Sequence, residues 1–92
     1  MPSDLSPDQI DKFLGAHGAW VRNGPSISKT YVFGDFNEAL GFVVRIGSAS
    51  EVADHHPDID IRWNKVTIAL STHDEGGLTA QDTSLAEAIE AL

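Results

Sequence analysis

Asp58-Ile59-Asp60-Ile61-Arg62-Trp63-Asn64-Lys65-Val66-Thr67-Ile68-Ala69-Leu70-Ser71-Thr72-His73 is the stretch that decides the fold. Ile59, Ile61 and Trp63 alternate with Asp58, Asp60 and Arg62. Beyond Asn64-Lys65, a candidate tight turn, Val66, Ile68 and Leu70 alternate with Thr67, Ala69, Ser71 and His73. Successive side chains of a strand point to opposite faces, so the pattern predicts two strands, 58–63 and 65–73, paired as an antiparallel hairpin. One face of that hairpin is apolar and needs a second layer laid on it.

Helices on either side supply that layer. Upstream, Asp35-Phe36-Asn37-Glu38 has the capping-box pattern, with Asp35 as N-cap and Glu38 at N3. Polar or small residues at 37, 38, 41, 45 and 48 form one stripe of this helix. Phe36, Ala39, Leu40, Phe42, Val43, Val44, Ile46 and Ala49 cover the rest, and Val52 and Ala53 continue the apolar arc. So wide an arc predicts a central helix covered on more than one side. Pro57 disfavours the helical conformation at His56, so the helix ends near His55. Downstream, Gly76-Gly77 is a loop and Thr79-Ala80-Gln81-Asp82 starts a third helix, whose buried face is Leu85, Ala86, Ile89 and Leu92.

The N-terminal third repeats the theme. Ser6-Pro7-Asp8-Gln9 combines a Ser N-cap, Pro at N1 and Gln at N3. Ile10, Phe13, Leu14 and His17 follow at helical spacing, and Gly18 suits a left-handed helix end. Residues 19–23 and 27–33 form the first hairpin of the chain, broken at Gly24-Pro25, with Ile27, Tyr31 and Phe33 on the face opposite Ser28, Thr30 and Val32. The order α-β-β-α-β-β-α predicts an α+β fold, a four-stranded antiparallel sheet with three helices packed on one face.

Ninety-two residues make a single domain spanning 1–92. A chain this short buries only about 60% of the surface that it exposes when unfolded. It has no Cys, so no disulfide adds stability, and a homo-oligomer is the expected source of further burial. A net charge of −8 repels phosphate backbones, which argues against direct nucleic-acid binding. No basic amphipathic stretch suits a membrane surface, and Met-Pro-Ser-Asp-Leu-Ser has neither the basic nor the apolar region of a leader. A cytoplasmic protein is expected.

The chemistry gathers in Glu51-Val52-Ala53-Asp54-His55-His56-Pro57, followed by His73 and Asp82. Histidine both gives and takes protons near neutral pH. The central helix delivers His55 and His56 at its end, and the second hairpin delivers His73 at the end of its last strand. Adjacent residues diverge by about 100° on a helix, so both imidazoles reach one pocket only if the backbone turns between them. Pro57 favours that turn. Each residue also has a simpler reading. His-His-Pro serves equally as a polar helix exit, Asp82 as a helix cap, Glu51 as a solvated charge, and Trp63 as a core or interface residue. Three imidazoles form a known zinc set, but no His pair stands at i, i+4 on a helix, so the spacing disfavours metal.

Glu51, three residues, His55-His56-Pro57, five residues, Trp63, nine residues, His73, eight residues, Asp82: this spacing resembles the signature of the pterin-4a-carbinolamine dehydratases. Phe33-Gly34-Asp35-Phe36-Asn37-Glu38-Ala39-Leu40-Gly41-Phe42 and Thr72-His73-Asp74-Glu75-Gly76-Gly77-Leu78-Thr79 are similar to other stretches of that family. The resemblance implies dehydration of 4a-hydroxytetrahydropterin to quinonoid dihydropterin, which recycles the cofactor of aromatic amino acid hydroxylases. It implies a small-molecule pterin substrate, no metal or organic cofactor, a dimer or tetramer, and a hydroxylase as candidate partner. It also implies acid/base roles for His55 and His73 and hydroxyl binding for His56. Asp82 and Glu51 are then supports for the histidines, Pro57 shapes the pocket, and Trp63 fills an aromatic position. The family also contains dimerisation cofactors of a transcription factor, so an interaction module is the alternative. A dehydratase acting on a pterin-like substrate in molybdopterin metabolism is another.

Overall fold

The computed structural model describes residues 4–72 and 77–92. Its elements run α1 (Pro7–Ala16), β1 (Val21–Asn23), β2 (Ser26–Val32), α2 (Phe36–Ala53), β3 (Asp58–Arg62), β4 (Lys65–Leu70) and α3 (Ala80–Glu90). The four strands form one antiparallel sheet in the order β1-β2-β4-β3. The α+β fold expected from the alternating pattern is the one observed.

Register explains which face is dry. Ile27 pairs with Leu70, Lys29 with Ile68 and Tyr31 with Val66, and on the other side of β4 Ile59 pairs with Ile68 and Ile61 with Val66. These residues share one face, against which the helices place Ile10, Phe13, Ala39, Phe42, Ile46, Leu85, Ala86 and Ile89. Val66, Ile68 and Leu70 are completely buried, as a central strand's inner residues should be. Burying each such side chain stabilises the fold by about 1.5–3 kcal/mol. Ser28, Thr30, Thr67, Asp58 and Asp60 lie on the opposite face, where no helix packs among the described residues.

Local chemistry sets the ends of the elements. Ser6 and Gln9 complete the capping box of α1, with the Gln9 amide donating to Ser6 Oγ at 3.2 Å and the Ser6 amide to Gln9 Oε1 at 2.8 Å. In α2, Asp35 accepts from the Glu38 amide at 2.8 Å. The Glu38 carboxylate reaches one residue beyond the expected partner and accepts from the Gly34 amide at 3.0 Å. At the other end of the chain, Lys29 Nζ donates to Glu90 Oε2 at 2.5 Å, and Tyr31 Oη donates to the same oxygen. That tie fastens the last turn of α3 to the middle of the sheet.

Five expectations need correction. Only one side of α2 is covered: Ala39, Phe42, Ile46 and Ser50 are buried, whereas Phe36, Leu40 and Val44 are exposed because no element of the described chain lies against them. The second hairpin turns at Trp63-Asn64, one residue early, with Trp63 in the left-handed region at φ 52°. Strand β4 stops at Leu70, short of His73. Leu92 lies past the end of α3 and is exposed. Among the described residues the glycine with positive φ is Gly24 (58°), in the β1–β2 turn, and not Gly18.

Candidate active site

Helix α2 ends in a way that sends its two histidines apart. Asp54 adopts the left-handed conformation (φ 52°, ψ 41°), its amide donates to the Glu51 carbonyl at 3.3 Å, and the His55 amide donates to the Ser50 carbonyl at 3.2 Å. This pair of bonds is a Schellman ending, which satisfies two of the helix's last carbonyls. Glycine usually takes the left-handed position, and Asp is among the few other residues that accept it. The helix therefore stops at Ala53, three residues before His56, where the conformational restriction of Pro57 acts.

Beyond that turn His55 points inward. Its Nε2 lies 2.6 Å from Asp82 Oδ1, and only 11% of the His55 side chain is exposed. Asp82 is fully buried. Its second oxygen, Oδ2, accepts from Thr72 Oγ1 at 2.8 Å and from the Thr79 amide at 2.9 Å. A buried carboxylate without partners is very costly, but this one meets two donors at Oδ2 and an imidazole nitrogen at Oδ1. Thr79 is the N-cap of α3 and Asp82 its N3 residue, so the expected cap and the histidine partner are one side chain.

His56 points outward. Its Nε2 sits 2.5 Å from Glu51 Oε2, with 59% and 77% of the two side chains exposed. The adjacent imidazoles thus have separate carboxylate partners, one buried and one in solvent. Pro57 leads directly into β3. Trp63 lies at the far end of that strand, roughly 20 Å from Pro57 at about 3.3 Å per residue, and is 69% exposed. It stands away from the His55–Asp82 pair. His73 lies outside the described residues.

His55 opens onto a pocket of about 390 Å³ between the end of α2 and the first half of α3. Ala53, Ala80, Leu85 and Ala88 make its apolar walls, and His55, Gln81 and Ser84 supply polar atoms. Small-molecule sites typically occupy about 300–1,000 Å³ and place a few polar groups among apolar ones. Small side chains at 80, 84 and 88, one helical turn apart, leave room for a flat ligand along α3. Gln81, Ser84 and Thr72 were not singled out from the sequence. The signal available for Thr72 was its position beside His73, at the end of a strand leading to the Thr79 cap.

Comparisons with known proteins agree with this architecture. Residues 3–92 match the family described as Pterin 4 alpha carbinolamine dehydratase. A relative from Roseiflexus sp. (strain RS-1) is 48% identical over 90 residues, covering 98% of this chain and 97% of its own. One from Acidobacterium capsulatum is 47% identical, covering 98% of each chain. Both carry the name pterin-4-alpha-carbinolamine dehydratase as a provisional assignment. Among solved structures, a transcriptional coactivator/pterin dehydratase from Brucella melitensis superposes with a TM-score of 0.89 at 31% identity over 96% of each chain. A pterin dehydratase-like protein described as a RuBisCO assembly factor in the alpha-carboxysome shares the fold, with a TM-score of 0.65 at 22% identity over 78% of this chain and 83% of that one. In sequence over its whole length and in fold, the chain belongs to the pterin-4a-carbinolamine dehydratase family.

Proposed function

We propose that the protein is a hydro-lyase that converts a 4a-hydroxytetrahydropterin to the quinonoid dihydropterin and water. The observation that carries this reading is the buried His55–Asp82 pair at the mouth of a pterin-sized pocket, in a chain of this family. The reaction needs two proton movements. One group removes the proton from N5 of the pterin, and the electron pair forms the C4a=N5 bond. A second group gives a proton to the C4a hydroxyl as its bond to carbon breaks, so water leaves and nothing is oxidised or reduced. His55 and His73 take the acid and base roles, each worth about 10²–10⁴ in rate. The family resemblance assigns the hydroxyl to His56, whose ring Glu51 holds in solvent outside the walls of the His55 pocket. The reaction draws only on side chains of the protein. In the cytoplasm, its product returns to the cycle that serves aromatic amino acid hydroxylases.

The enzyme works as a homo-oligomer. Phe36, Leu40 and Val44, spaced one turn apart along α2, present an apolar stripe to solvent, and Gly47 lies beside it with open space around its Cα. A stripe of this kind on a small domain is better covered by another copy than left in water. Exposed Trp63, at the tip of the β3–β4 hairpin, suits an interface better than a pocket it cannot reach.

The direct test generates the carbinolamine in situ with an aromatic amino acid hydroxylase and follows its dehydration. Wild-type protein should beat the spontaneous rate by orders of magnitude, and His55→Ala, His56→Ala and His73→Ala should each lose activity while remaining folded. A wild-type rate equal to the spontaneous one would sink the enzyme reading and leave an interaction module.

A further inference from the structure

Asp82 is the centre of a directional chain of hydrogen bonds, and following its donors fixes atoms that the histidine alone does not. Thr72 Oγ1 lies 2.8 Å from Asp82 Oδ2 and 2.8 Å from Thr79 Oγ1. A hydroxyl has one proton to donate. A carboxylate oxygen only accepts, so Thr72 spends that proton on Asp82. Thr79 must then donate its own hydroxyl proton to Thr72. Thr79 Oγ1 in turn accepts from the Gln81 amide at 3.3 Å, and the Thr79 amide donates to Asp82 Oδ2 at 2.9 Å. Every bond in the chain points toward the carboxylate.

Oδ2 therefore already accepts two donors, and Oδ1 remains for His55 Nε2 at 2.6 Å. The geometry points to Thr72 as a positioning residue that holds Asp82 as an acceptor and so fixes neutral His55 as its Nε2–H tautomer. The nitrogen that exchanges protons with the substrate is then Nδ1. Thr72 touches no substrate and acts only through Asp82 and His55. The assignment of Nδ1 to the chemistry rests on the dehydratase reading above, whereas the tautomer itself does not. Both hydroxyls are buried with the carboxylate, Thr72 at 9% exposure and Thr79 at 2%, so water is a poor substitute for either.

Two variants and two readouts test this. Thr72→Val keeps the shape and loses the donor, and Thr72→Ser keeps the donor. In the free wild-type protein, ¹⁵N chemical shifts of the His55 ring should report a protonated Nε2 and an unprotonated Nδ1. Thr72→Val should mix the two tautomers and lower kcat about ten- to a hundredfold, as loss of a group orienting a reactive side chain usually does, with KM within twofold. Thr72→Ser should restore both the spectrum and kcat to within about threefold. Three results would overturn the inference: a wild-type spectrum with Nδ1 protonated, a Thr72→Val spectrum identical to wild type, or a Thr72→Ser protein as impaired as Thr72→Val. If wild type proves inactive, the dehydratase reading falls, while the spectra of wild type and Thr72→Val still decide the tautomer and the role of Thr72.

Discussion

Replacing Tyr31 by Phe removes one oxygen from the tie between β2 and α3, and the structure says what that should cost. Tyr31 Oη donates to Glu90 Oε2, Lys29 Nζ donates to the same oxygen at 2.5 Å, and Lys29 lies 4.3 Å from the centre of the Tyr31 ring. The ring itself packs 4.7 Å from that of Phe42, a contact that Phe retains. A hydrogen bond to a charged group contributes about 1.5–3 kcal/mol. Lys29 still neutralises Glu90 in the variant, so the low end applies, about 1.5 kcal/mol. For a domain of this size that corresponds to a fall in Tm of roughly 6–12 °C.

Its pH dependence makes the prediction specific. Burial alone would raise the Glu90 carboxyl, but hydrogen bonds from Lys29 and Tyr31 outweigh it and leave the group below its ordinary 4.5. A depressed carboxylate stabilises the fold above its unfolded pKa, and that contribution is lost as pH falls through the folded value. The Tyr31 phenol is shifted the other way, upward from 10.0, first by burial and then by its bond to Glu90 and that carboxylate's charge. Its contribution is intact below pH 10 and is lost as pH rises beyond. The gap between wild type and Tyr31→Phe should therefore be widest between about pH 5 and 10 and narrow on both sides. Thermal unfolding at fixed protein concentration, monitored at pH 3, 7 and 10.5, measures it. A gap below 0.5 kcal/mol at pH 7, or one equally large at pH 3, would refute the reasoning.

Other perturbations are simpler. Asp82→Asn keeps an acceptor for the Thr79 amide but offers His55 Nε2 an amide donor in place of Oδ1, so α3 should fold while kcat drops about 10²–10⁴-fold in the dehydration assay. Asp54→Asn keeps the left-handed conformation and removes a negative charge from the C-terminus of α2; chemical denaturation should show a gain of about 0.3–1 kcal/mol. Leu40→Glu with Val44→Glu, both on the exposed stripe of α2, should leave circular dichroism unchanged and reduce the sedimenting species to monomer.

The hairpins, helix starts and core residues were legible because each rests on local pattern: period two in Lys65–Leu70, caps at Ser6, Asp35 and Thr79. The direction of each histidine was not. It depends on Asp54 entering the left-handed region, and an Asp there carries none of the warning that a Gly gives. Proline 57 was the visible breaker, yet the helix had already ended. The breadth of the apolar arc of α2 was legible too, but a pattern of side chains shows how much surface must be covered and not what covers it. Asp82 read as a cap because Thr79 stands three residues before it. Only the fold reveals that its other oxygen faces a histidine 27 positions earlier in the chain.

That double duty of Asp82 gives the site a built-in reporter. The first turn of α3 cannot fray without releasing the bonds that hold the carboxylate, because the Thr79 amide proton is bound to Asp82 itself. Backbone hydrogen exchange at residue 79 therefore counts the molecules whose histidine has lost its partner. Slow exchange there, in a protein otherwise opening freely, would mean that the His55–Asp82 pair and the first turn of α3 open as a single unit.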